Sequence, residues 1–189
     1  MPKKIEFIKK AIIVPLLFTL VLTGCSSIGG SSTKTAKSAS SANSKISEET
    51  ADEFVDSYMQ KMKNHAPAEE IISDVYTKEF IDKLKKNGQW EMTKQAIEST
   101  YLYIKDVSVK RTGTLTENQI KGAEFVFKTL TGESVKITAG YSYDSTTSLD
   151  VNGEASNIPG EFCALYLKDS GWKVLNSSVE ELDDAFLEN

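Results

Sequence analysis

Two periodicities divide the chain after residue 46. Ala51, Phe54, Val55, Tyr58, Met59 and Met62 recur at helical spacing, while Asp52, Glu53, Asp56, Lys61 and Lys63 face away. Thr50 and Glu53 fit a capping box ahead of that stripe. Pro67 opens a second helix, with Glu69 and Glu70 in its positive first turn and Ile71, Ile72, Val75 and Tyr76 as its apolar side. Thr77 starts a third helix through Phe80, Ile81 and Leu84, and Asn87-Gly88 stops it. A shorter helix is predicted around Trp90–Ser99.

From Tyr101 onward the pattern reads as sheet. Tyr101–Thr112 alternates Val107, Val109 and Arg111 against Asp106, Ser108 and Lys110. Gln119–Leu130, carrying Phe125 and Phe127, is a second predicted strand, and Thr131-Gly132-Glu133 a hairpin turn after it. Ser134–Tyr143 is a third, with Val135, Ile137, Ala139, Tyr141 and Tyr143 expected on one face. Asp144–Asn157 reads as polar loop. Pro159–Lys168 and Trp172–Asn176 are the last two strands, joined by a turn at Asp169-Ser170-Gly171. Ser178 and Glu181 box a short final helix through Leu182, Ala185 and Phe186.

Helices first and strands afterwards predict an α+β domain. N-terminal helices pack on one face of a curved antiparallel sheet of about five strands, with a short C-terminal helix. The closing segment, Ala164 to Leu175 with Gly171-Trp172-Lys173-Val174 at its end, resembles the nuclear transport factor 2-like (cystatin-like) domains of small bacterial lipoproteins. That resemblance implies a cone-like sheet wrapped around helices.

The N-terminus has a different grammar. Lys3, Lys4, Lys9 and Lys10 precede a twelve-residue apolar run, Ala11–Leu22, with Pro15 inside it. A spanning helix needs about 20. A basic start, a short apolar run and small residues describe a secretory signal instead. The four residues Leu22-Thr23-Gly24-Cys25 resemble the lipobox of bacterial lipoproteins. The resemblance implies recognition through Leu22, Thr23 and Gly24, cleavage before Cys25, and acylation of Cys25, palmitate included. Two or more acyl chains give stable anchoring, at about 0.8 kcal/mol per buried methylene. The expected location is the extracytoplasmic face of a bacterial cell membrane. Ser26 after the cysteine is compatible with an outer membrane where there are two. The division expected is 1–24 signal peptide, 25–46 lipidated cysteine and Ser/Lys-rich tether, and 47–189 a single domain.

Charge separates tether from domain. The chain holds 22 basic and 27 acidic residues; residues 1–46 take seven lysines and one acid, leaving 15 and 26, a net of −11, in 47–189. An acidic domain argues against nucleic acid, whose binding rests on neutralising phosphates. Only Cys163 remains once Cys25 is lipidated, so no disulfide forms within the domain, and Cys163 reads as a buried thiol. The lone histidine, His65, falls on a connector and reads as solvated rather than as a general base. Asp150-Val151-Asn152-Gly153-Glu154 lacks calcium-loop spacing, and the acids Glu180, Glu181, Asp183 and Asp184 read as a solvated helix face. No phosphate-cradling glycine loop or nucleophile elbow is present.

The aromatic rows Phe125/Phe127 and Tyr141/Tyr143 are candidates for core, for a pocket mouth or for a protein interface. The expected function is a non-catalytic, lipid-anchored binding or interaction protein of the cell envelope. Its contacts are the membrane through Cys25 and a protein partner or homodimer, with no cofactor and no metal. Small-molecule binding in the cone cavity is the alternative, and an enzyme of that fold the third.

Overall fold

The computed structural model describes residues 46–188; Leu22, Thr23, Gly24 and Cys25 lie outside the described residues. Four helices come first: α1 (Glu48–Lys63), α2 (Ala68–Val75), α3 (Lys78–Lys86) and α4 (Trp90–Tyr101). They are followed by β1 (Ile104–Thr114), α5 (Glu117–Thr131), β2 (Ile137–Val151), β3 (Glu154–Leu167), β4 (Gly171–Leu175) and α6 (Val179–Glu188). The strands form one antiparallel sheet in the order β1-β2-β3-β4. The class is α+β, with four strands among the described residues rather than about five.

Local chemistry explains the helix ends. Ser47, not Thr50, caps α1: Thr50 N donates to Ser47 Oγ at 3.3 Å and Ser47 N donates to Thr50 Oγ1 at 3.1 Å. This places Ala51 inside the helix, where it is fully buried. Thr77 caps α3, and Ser178 with Glu181 forms the box expected ahead of α6. At the other end of α1 the chain closes a Schellman turn: His65 N donates to Met62 O at 3.3 Å and Ala66 N to Lys61 O at 2.9 Å. His65 holds the left-handed conformation there, at φ 52°.

Three expectations give way. Gln119–Leu130 is helix, not strand, because Ile120, Ala123, Phe127 and Leu130 keep a helical spacing that the Phe125-Val126-Phe127 run hides. Thr116 and Gln119 box its start, and Gly132, expected in a hairpin turn, is its C-cap at φ 72°. Asp144–Asn157 is not a loop. It is most of a long hairpin whose turn, Asn152-Gly153, takes φ 56° and 83° as a two-residue hairpin connection requires. Finally, a register shift between Ile137 and Ala139 splits the predicted face of β2: Ile137 joins one core, while Ala139, Tyr141 and Tyr143 join the other.

The sheet has a core on each face, rather than helices on one face only. On the first face α1 and α2 bring Val55, Tyr58, Met59, Ile71 and Val75 against Tyr141, Tyr143, Phe162, Ala164 and Val174. On the other, α5 and α6 bring Ala123, Phe127 and Leu182 against Ile137, Cys163, Leu165, Leu167 and Leu175. Successive residues of β3 therefore alternate between cores, and Cys163, Ala164 and Leu165 are each 0% exposed. Trp172 joins the elements of the first core: its ring stands 6.3 Å from Phe54, 6.0 Å from Tyr141 and 5.2 Å, edge-on, from Tyr166.

The second core depends on backbone contact. A Cβ built on Gly122 of α5 would lie 2.0 Å from Leu182 O of α6. No side chain fits that crossing without separating the helices. Gly122→Ala is expected to lower unfolding stability by about 2–3 kcal/mol, the usual scale of overpacking. Urea denaturation of the variant checks this; a change below about 0.5 kcal/mol would contradict the close crossing.

Candidate functional site

Strand lengths create the site. β3 pairs with β2 from Glu154 to Leu167, whereas β4 pairs only with Cys163–Leu167. Past Cys163 the chain leaves the lane beside β3: Ser177 N donates to Leu175 O at 3.0 Å, turning the backbone toward α6. Glu154–Phe162 consequently form a sheet edge with no neighbouring strand among the described residues. The two-residue turn sets which backbone groups face outward. Val151 and Glu154 flank it as a hydrogen-bonded pair, so alternate residues Ala155, Asn157, Pro159 and Glu161 point N–H and C=O away from β2. The same alternation turns Asp150 N away from β3, where it donates to Tyr103 O at 3.0 Å. Pro159 has no N–H, which breaks the row of donors once.

A groove of about 850 Å³ lies along this edge. Its two walls differ. Met59 and Met62 of α1, with Ile104, Val107, Leu149 and Ile158 of the sheet, give an apolar wall. On the opposite face Asp144 and Glu161 are direct cross-strand neighbours, and Glu181 of α6 joins them at the rim. All three carboxylates are exposed, and none lies within ion-pair distance of a described cation. Lys110 is the neighbour of Asp144 on β1, outside the lining. The described residues that line the groove include no lysine, arginine, histidine or cysteine.

None of the four aromatic candidates lines this groove. Phe127 is buried in the core under α5, and Phe125, half-buried on the same helix, is no longer its neighbour in a row. Tyr141 and Tyr143 keep their common face but are core, 8% and 2% exposed. Tyr143 stacks on Phe162 at 5.3 Å, and its hydroxyl donates to Asp52 Oδ1 at 2.8 Å. Burial, then Asp52, raises the Tyr143 hydroxyl pKa. Beside it is a second cleft of about 230 Å³, where Arg111 ties β1 to α1. Arg111 Nη1 sits 2.8 Å from Glu48 Oε2, held by charge and out of line for a directed hydrogen bond. His65 is exposed, and its Nε2 lies 3.2 Å from Ile104 O, a bond the Nε2–H tautomer donates. Asp150 Oδ1 accepts from Gly153 N at 2.9 Å, so this carboxylate braces the hairpin turn.

The edge is hidden in the residue pattern because the polar residues of the β2–β3 hairpin imitate a loop. The signal was present: Asn-Gly between Val151 and Glu154 is the strongest short-range hairpin mark. An α+β sheet with a core on each face, and a groove along the half of β3 that extends beyond β4, is the class that fold and site define. No family model, curated protein or solved structure matches the chain.

Cys163 lies behind this edge in the second core, fully buried, with Sγ 3.4 Å from Ser177 O. Burial, with smaller effects from Glu161 and Glu181, pushes the thiol pKa from 9.0 up to about 12. Above the unfolded value the unfolded chain loses this proton while the folded chain keeps it. Stability is therefore expected to fall as pH rises from 9.0 toward about 12, by up to about 1.4 kcal/mol per pH unit for one group. Buried tyrosines add the same sign above their ordinary value of 10.0. A Cys163→Ala variant is expected to show a flatter slope between pH 9 and 10, read by urea melts at each pH. Equal slopes in the two proteins would contradict the assignment.

Proposed function

We propose that this chain is a lipid-anchored, extracytoplasmic binding module of a bacterial cell envelope, non-catalytic, whose partner site is the groove beside Glu154–Phe162. The observation that carries the binding role is the unpaired edge of β3 set against an apolar wall. Exposed sheet edges are normally covered, shortened or charged, and this one opens onto a concave surface. The groove's lining supplies carboxylates, hydroxyls and amides, and among the described residues no lining hydroxyl donates to a lining carboxylate, as an activated nucleophile would to its base. The anchor rests on Leu22-Thr23-Gly24-Cys25 and on the short apolar run before it. Among the described residues no helix is long and apolar enough to cross a membrane.

The order of helices before the sheet and the Gly171-Trp172-Lys173-Val174 end favour kinship with the nuclear transport factor 2-like (cystatin-like) lipoprotein domains. The helix α5 between β1 and β2 weighs against it. A small-molecule ligand is the second reading, favoured by a groove volume inside the usual ligand range of about 300–1,000 Å³.

Two measurements test the proposal. Cys25→Ser is expected to abolish incorporation of labelled fatty acid; retained label would place the lipid elsewhere. A photocrosslinking side chain at Ile158, in the anchored protein in its own cells, is expected to give a discrete protein adduct absent when the same group replaces Lys128 on α5. Matching adducts at both positions, or none at Ile158, would remove the groove as a protein-partner site.

A further inference from the structure

The open lane has a defined shape and charge, and both narrow the occupant. Leu175 is the last residue of β4, and the chain turns out of the sheet at Asn176–Ser177. A strand laid where β4 stops would be in line with it, about 4.8 Å from β3. It would meet the outward N–H and C=O groups of Ala155, Asn157 and Glu161, and the C=O of Pro159. The missing donor at Pro159 interrupts indiscriminate edge pairing and leaves pairing on either side of it.

The lane also separates two side-chain environments. Strand side chains alternate between faces. On one face they would reach Met59, Met62 and Ile158; on the other they would reach Asp144, Glu161 and Glu181. Asp144 and Glu161 face each other across the strands, an arrangement that costs stability unless a cation stands between or beside them. Lys110, on the far side of Asp144, does not reach either within ion-pair distance.

We propose that the groove takes an extended polypeptide segment of another protein, adding as a fifth strand along Glu154–Phe162, with apolar side chains alternating with lysine or arginine. This rests on the reading of the groove as a binding site and names its partner's chemistry. Two other occupants fit less well. A second copy would bring one domain of net charge −11 against another, with acid meeting acid along the edge. The chain's own residues 26–45 are basic through Lys34, Lys37 and Lys45, but Ile28 is their only large apolar residue, so the apolar wall would go unmet.

The test uses the full-length chain in detergent micelles and two short synthetic peptides, one alternating valine with lysine, the other valine with glutamate. Amide hydrogen exchange is followed at Ala155, Asn157 and Glu161, together with the methyl signals of Met59 and Met62. The lysine peptide is expected to slow exchange at those three amides about tenfold or more, as pairing of an exposed backbone does, and the glutamate peptide is not. Glu161→Lys is expected to weaken the lysine peptide about tenfold, and added salt to weaken it further. Shifted methionine methyls with the three amides unprotected would overturn strand addition and leave the groove a binding site. No change at amides or methyls would overturn both readings. Amides protected without peptide, in proportion to protein concentration, would make a second copy the occupant. Protection at every dilution, lost when residues 26–45 are replaced by Gly and Ser, would make it the chain's own tether.

Discussion

The middle of β3 carries the structure because it serves both cores at once. Ala164 packs toward α1 and α2, while Cys163 and Leu165 pack toward α5 and α6, and all three are closed to solvent. A strand buried on both faces cannot slip by one residue, since every side chain would enter the other core. Its pairing on both sides at this point, with β2 and β4, satisfies the backbone groups that burial removes from water. The helices follow from that placement. α1 lies over Tyr141, Tyr143 and Phe162, and α6 crosses α5 closely enough that only Gly122 fits beneath Leu182.

The same strand is also the source of the groove. Its buried half is paired on both sides; its other half extends beyond β4 and is paired with β2 alone. Burial changes along it in step: Cys163–Leu165 are buried, whereas Asn157, Pro159, Gly160 and Glu161 are exposed. Stability and recognition are thus divided along one strand. The buried half fixes register and the open half offers backbone. The charge follows this division, with carboxylates at Asp144, Glu161 and Glu181 gathered on the polar side of the open half.

Polar ties join elements that are distant along the chain. Lys61 Nζ meets Asp74 Oδ2 at 2.6 Å, joining α1 to α2, and both side chains are largely sheltered. Lys173 Nζ donates to Ser73 O at 2.8 Å, joining β4 to α2. Glu133 accepts from the Thr77 hydroxyl and sits 2.9 Å from Lys83 Nζ, linking the end of α5 to the start of α3. Exposed ion pairs contribute little singly. The sheltered ones orient elements whose main stabilisation is apolar burial.

The sequence by itself determined what depends on neighbours within a few residues. The α1 stripe, the Thr77 cap, the stop at Asn87-Gly88, and the Ser178–Glu181 box are all local, and the structure contains each of them. Misreadings arose where two local patterns competed. Phe125-Val126-Phe127 imitates a strand inside the capped helix α5, and the polar residues of the β2–β3 hairpin imitate a loop although Asn152-Gly153 marks its turn. Only the tertiary structure decided which aromatic rows are core, because exposure depends on what packs above a strand, not on the strand's own alternation. It alone decided the groove as well. An edge exists where a neighbouring strand ends, and Leu175 ending opposite Cys163 is a fact about two segments brought together by folding.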